Sequence, residues 1–488
     1  MFHPNTVDAC FAHDGHGLCG GIKDENGNWN TAAHRDRIVH FTETELRVLS
    51  EAFEDGADWE TVKLTSIHAN NVIVALERFS QFPTHVIDCK EIIISEGLHE
   101  TNSVDKGIIK RNVCFPNLSK AELVYSGPHF FCGNPIYKTP RAVCLLNSDY
   151  DTIDLTSIPE EYVPRTNYTP ILRSDEYRNI IQGFPCGQDK DGNQLYDSWI
   201  NYYKVGFRRM IGSTSERSLS GGILLPNCNH IGGVVTVTFK DYTNLIEFAG
   251  LTCSIPMDFY VKTLGLSDIH ANRVHPFPLG IANKYKTALF SRTLLLNCLT
   301  KHYSDLWSDC WREEYKQEKW SITDQRLKPF DTLHEDWAWD IPLRNYFERR
   351  QALVEIDVIA AMALGMSLED LEMIYTIQFP VLQQNENDTW YDQKGRIVFT
   401  CSKGLTGVGL DRKRNAKTGM LGWEDIRGEQ IDEHTYRGTM PTHTHTIDPA
   451  KSELYGGQEQ TFVAPYTRCD RITDYRKAWA HFEKIFNK

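Results

Sequence analysis

The chain reads as a mixed α/β protein, and three observations point there. Apolar residues recur at helical spacing in some windows and at strand spacing in others. Strand-like windows fill residues 175–290, and helical ones take over from about residue 285. Hydrophobic residues make up 41% of the 488, enough for several cores, and charged residues make up 24%, an ordinary globular share. The expected division is an α/β segment at 1–120, a β-rich region at 121–285, a helical support at 286–385, and a hairpin, basic loop and terminal helix at 386–488.

Residues 42–53 and 71–79 have helical spacing. Leu46, Leu49 and Phe53 share one face of the first, and Val72, Ala75, Leu76 and Phe79 share one face of the second. Thr42 and Glu45 fit a capping-box entry. A glycine-rich stretch at 14–21 and a turn signal at 24–29 precede them. Residues 121–170 are rich in Pro, Tyr and Asn, which predicts long ordered loops. Residues 199–207 are aromatic and β-prone, and 230–239 alternate around Val234, Val235 and Val237. Pro276, Phe277 and Pro278 mark a boundary.

Helices follow at 287–306 and 340–364. The second carries Leu353, Ile356, Ile359, Ala360, Ala363 and Leu364 on one apolar face and stops at Gly365. Ser367 and Asp370 cap the next helix, which ends before Pro380. A hairpin then joins Trp390-Tyr391 to residues 396–399. Residues 404–409 form a glycine loop before Asp411, and residues 474–482 form an amphipathic terminal helix.

Several function classes are disfavoured. No apolar run is long enough to span a membrane, and the N-terminus lacks a basic patch followed by an apolar core. Thirteen cysteines contain no Cys-x-x-Cys pair, which reads as buried thiols in a reducing cytoplasm. The net charge of −13 means that any nucleic-acid contact is confined to one local positive surface. No Gly-x-Ser-x-Gly nucleophile elbow is present. His13 and His16, or His443 and His445, could ligate a metal only with further ligands that the sequence does not identify, so no metal is expected. Glu355 and Asp357 interrupt an apolar helix and, if buried, need an arginine such as Arg349 or Arg350.

Three basic groups fit nucleic-acid contacts. Lys204, Arg208, Arg209 and Arg217 follow Asn201 and Tyr203, giving donors for phosphates and guanine edges, an amide for adenine, and a turn at 212–215 for phosphate. Lys403, Arg412, Lys413 and Arg414 bracket the glycine loop, whose small residues allow close backbone approach. Lys138, Arg141 and Arg165 sit in Pro-rich loops that could touch DNA or a partner. The competing reading of each group is solvated charge over an ordinary core.

Asn134-Pro135-Ile136-Tyr137 echoes the Asn-Pro-Pro-Tyr tetrapeptide of amino-methylating DNA enzymes. Other strings accompany it: His99-Glu100-Thr101-Asn102, Lys138-Thr139-Pro140-Arg141, Pro164-Arg165-Thr166-Asn167-Tyr168, Tyr203-Lys204-Val205-Gly206-Phe207-Arg208-Arg209 and Asp388-Thr389-Trp390-Tyr391. In this order they resemble the C-terminal half of type IIG-like DNA adenine methyltransferases, including the methylase of DISARM phage-defence systems. The resemblance implies a bacterial protein that reads a double-stranded DNA target for a methyltransferase catalytic chain, or for other defence-system proteins. It places S-adenosylmethionine in that partner and no cofactor in this chain, because no Asp-x-Phe-x-Gly-x-Gly loop precedes the tetrapeptide. Two other readings remain. One is an autonomous methyltransferase using Asn134, Pro135 and Tyr137, and the other is a scaffold that ignores DNA.

Overall fold

Helix Tyr346–Ala363 packs against helices Tyr242–Thr252, Ile255–Thr263, Asn283–Asn297, Leu368–Gln378 and Arg471–Phe486. It starts at Tyr346 rather than at 340 because Asn345 caps the first turn and Glu348 closes a capping box. Being surrounded, it is buried on nearly every face, Glu355 and Asp357 included. The computed structural model describes residues 4–17, 19, 30–53, 58–62, 71–212, 215–405 and 407–487. The turn expected at 24–29 lies outside them, as do most of the glycine-rich stretch and residues 213–214 of the turn at 212–215.

The architecture is mixed α/β with several small sheets and, among the described residues, no closed barrel. An antiparallel four-stranded sheet runs in the order Ile92–Ser95, Val234–Phe239, Lys204–Arg208, Gly221–Leu224. Its registers pair Val237 with both Ile94 and Val205, and Gly206 with Gly222. All six side chains of Val234–Phe239 are buried, so this strand is covered on both faces. A five-stranded sheet is built from Ile397–Phe399, Trp390–Tyr391, Tyr466–Thr467, Thr435–Tyr436 and Gln430–Asp432.

The principal core draws on Leu49, Phe79, Val237, Phe248, Leu295, Ile356 and Phe482 alike, so it crosses the divisions expected near 120 and 285. A second core gathers around Trp390, Trp423 and Tyr466. The hairpin expected at 390–399 forms, and helices Glu43–Phe53, Asn71–Ser80, Leu368–Gln378 and Arg471–Phe486 match the spacing that predicts them.

Three expectations fail. The helix expected at 287–306 ends at Asn297, and a separate short helix covers Ser304–Asp309. Residues 199–201 form a 3-10 turn, and the strand begins only at Lys204. The amides and hydroxyls before it are tied locally, with Asn201 Nδ2 2.6 Å and the Tyr202 hydroxyl 2.7 Å from the Asp197 carboxylate. Residues 242–263, expected within the strand-rich stretch, are two helices, Tyr242–Thr252 capped by Asp241 and Ile255–Thr263 capped by Ser254. Among the described residues no helix is long and apolar enough to cross a membrane.

Candidate nucleic-acid interface

Strand Lys138–Pro140 pairs antiparallel with Tyr150–Thr152 and forms one wall of a cleft of about 800 Å³. The hairpin turn at Lys394 and the rim at 411–413 form the second wall, and residues 445–461 the third. The rim is set by a tight reversal at Gly409. Its φ is +78°, and a Cβ there would lie 2.5 Å from the Val398 carbonyl oxygen. Leu410 N–H then donates to that carbonyl at 2.7 Å.

Among the described residues the cleft is lined by seven Lys and Arg side chains against four Asp and Glu. Four of the cations are neutralised: Arg141 by Asp151 at 2.7 Å, Arg396 by Asp154 at 3.0 Å, Arg412 by Asp388 at 2.5 Å, and Lys451 by Asp411. Lys138, Lys394 and Lys413 have no carboxylate within ion-pair distance among the described residues; the lining's Asp448 and Glu459 are likewise unpaired, so the surplus facing the space is one positive charge. Lys138 lies 5.0 Å above the Tyr137 ring. Burial, and then the Arg208 guanidinium, lower its pKa, so an incoming anion would relieve both. The Tyr346 hydroxyl, on the lining, is buried without a hydrogen-bond partner, and a polar ligand group would satisfy it.

The walls are stitched together at one end. Asp151 accepts from the Glu453 and Leu454 amides at 2.7 and 2.9 Å. Glu453 accepts from Arg165 at 2.6 Å and from the Ala142 amide at 2.9 Å. Arg141 also donates to the Lys451 carbonyl at 2.5 Å.

The structure therefore gathers Lys138, Arg141, Arg412 and Lys413 and places Arg165 in the stitch behind them. Lys403 is exposed on the glycine loop, and Arg414 turns to Asp425 at 3.2 Å. The group at 201–217 does not join them. Lys204 is fully buried, with Nζ 3.1–3.2 Å from the carbonyls of Ile200, Leu225 and Cys228, so it ties a loop instead of meeting phosphate. Tyr203 is buried and donates to the His302 carbonyl at 2.7 Å. Arg217 is held by Asp258 and by the Cys253 carbonyl at 2.7 Å, inside the protein. Arg208 spends two donors on the Gly127 and Phe130 carbonyls, both at 2.9 Å. Arg209 faces Asp268 at 3.7 Å, and Asn201 is bound to Asp197. The contact set expected at Asn201, Tyr203, Lys204, Arg208 and Arg217 is thus corrected to internal packing and hydrogen bonding.

The Asn134 tetrapeptide is also internal. Gly133, at φ +65°, turns the chain, and the Asn134 side-chain oxygen accepts from the Ile136 amide at 3.1 Å. Asn134, Ile136 and Tyr137 are all buried, with Tyr137 packed 5.3 Å from the Phe131 ring. The acceptor that would hold an adenine amino group is spent on the turn, which corrects the reading of Asn134, Pro135 and Tyr137 as a base-flipping site.

Sequence reasoning missed Lys394, Arg396 and Lys451. They lie in a turn, just before a short strand and in a loop whose meeting is tertiary, and only the lysine in the turn had a local cue. His443 and His445 lie on strand Thr442–Thr446, and among the described residues no group of three His, Cys, Asp or Glu side chains is arranged to hold a metal. Compared with known proteins, the chain matches no family model and no curated relative.

Proposed function

We propose that this chain grips double-stranded DNA at the cationic cleft, as the target-reading part of a split adenine methyltransferase in restriction–modification or phage defence. The observation that supports DNA binding is the convergence of seven Lys and Arg side chains on one cleft in a chain of net charge −13. A space of about 800 Å³ encloses something the size of a small ligand, so it takes one backbone edge while the duplex lies across its mouth. Lys138, Lys394 and Lys413 meet phosphates, and the paired arginines position them. The methylation assignment rests on the ordered strings that resemble those methyltransferases. In this reading S-adenosylmethionine and the reacting centre belong to a partner catalytic chain.

The test is duplex binding by fluorescence anisotropy across a salt series. The combined variant K138Q/K394Q/K413Q should weaken binding and flatten the slope of log K against log salt by about 2.7, since each lost phosphate contact removes ~0.9. A variant that binds as the wild type does would remove the cleft from the argument. Addition of the neighbouring catalytic chain should give adenine methylation that the triple variant loses.

A further inference from the structure

Loop 141–149 begins and ends at the cleft, with Arg141, Ser148 and Tyr150 on its lining. Its tip carries Val143, Leu145 and Leu146, which are 73, 67 and 68% exposed. Three aliphatic side chains standing in water at the edge of a cationic cleft have no folding role. Yet the tip is rigidly built. Cys144 between them is buried, and Arg111 donates to the Cys144 and Leu145 carbonyls at 3.2 and 2.9 Å. Asp149 accepts from the Leu145 and Leu146 amides at 2.9 and 2.8 Å, and its own amide closes the turn on the Leu146 carbonyl at 3.0 Å. The two leucines are therefore pre-organised in an exposed position, which lowers the entropic cost of placing them against a partner.

We infer that Leu145 and Leu146 form a wedge that enters a base step of the duplex held at the cleft. The inference rests on the proposed duplex binding. Leu146 is two residues from Ser148, which keeps it within about 7 Å of the lining along the chain. Nucleic-acid binders insert such apolar side chains between base pairs, unstacking them and kinking the duplex. Position favours this occupant, because the leucines stand at the rim of the cleft; Arg111 also flanks them, while Arg141 is paired with Asp151 and Asp149 closes the turn. A second protruding apolar hairpin, with Leu195 and Tyr196, is not on the lining of the cleft.

The probe is a duplex of about 20 base pairs with a central flexible TA step containing 2-aminopurine, whose fluorescence rises on unstacking. Saturating wild-type protein should raise that signal. L145S/L146S should bind about tenfold more weakly, leave the salt slope unchanged and give no rise at saturation. L145M/L146M should restore both, which separates the wedge from damage to the fold. A rise that persists in L145S/L146S, or no rise from bound wild type, overturns the wedge and leaves the cleft standing. A wild type that does not bind duplex at low salt overturns both. If instead L145S/L146S dissolves a wild-type dimer in sedimentation without changing the DNA signal, the tip contacts protein and the wedge fails.

Discussion

His230 is completely buried, with Nδ1 3.1 Å from the Ile231 carbonyl and Nε2 2.9 Å from the Thr236 hydroxyl. Burial, reinforced by the charge of Lys204, pushes its pKa down to about 4. The unfolded chain takes up a proton on this residue below pH ~6.5, and the folded one does not until near 4. Stability from this group is therefore full above pH ~6.5 and falls as pH drops through that window, by on the order of 3 kcal/mol. Urea titrations at successive pH values should show the fall, and His230→Asn should flatten it. His129, also lowered by burial, acts in the same direction. Lys204 offers a second test. Burial pushes its ammonium down and the adjacent Cys228 thiol up. Lys204→Met strands three carbonyl groups and should cost roughly 2–4 kcal/mol in urea unfolding. At temperatures where the variant stays folded, the salt slope of DNA binding should not change. A loss of slope would return Lys204 to the interface.

Helix Arg471–Phe486 is held against Tyr346–Ala363 by charge as well as by Tyr475, Ala478 and Phe482. Arg471 reaches Asp357 at 2.6 Å and Glu386 at 2.8 Å, while Arg350 pairs with Asp474. Burial alone would raise the pKa of Glu386, but Arg471 and then Arg350 hold it at about 2. Arg471→Met leaves Asp357 buried without its ion-pair partner and Glu386 with Arg350 alone, and it should destabilise by about 3–5 kcal/mol, read as a shift of the urea midpoint. The partners named from sequence for Glu355 and Asp357 were only neighbours along the helix. Glu355 is in fact met by Arg292 at 2.6 Å and Asp357 by Arg471, each from another helix. Helices with caps and a clear apolar face, such as Leu368–Gln378, were legible for local reasons. Tyr242–Thr252 and Ile255–Thr263 were not, because helices buried nearly all round lack the polar face that makes a period visible. The site divides similarly. Arg412 and Lys413 were readable as a run beside glycines. Lys204 looked like surface charge on a strand because its carbonyl partners, Leu225 and Cys228, lie more than twenty residues further along the chain.

At the scale of the molecule, a net charge of −13 opposes DNA binding over the surface as a whole, while the cleft gathers seven Lys and Arg side chains. Binding to a short duplex should therefore saturate at one chain per site, without the coating seen with basic proteins, and analytical ultracentrifugation can count it. The same principal core joins residues from both ends of the chain, so deleting the terminal helix should unfold more than the end it removes. Circular dichroism would register that loss across helix and sheet together. The stitch at Asp151 and Glu453 has a mechanical meaning. A jaw pinned at one corner cannot gape to suit its guest, so the compliance must come from the nucleic acid. Selection from random duplexes should then enrich pliant pyrimidine–purine steps over stiff adenine tracts, even at positions no side chain touches.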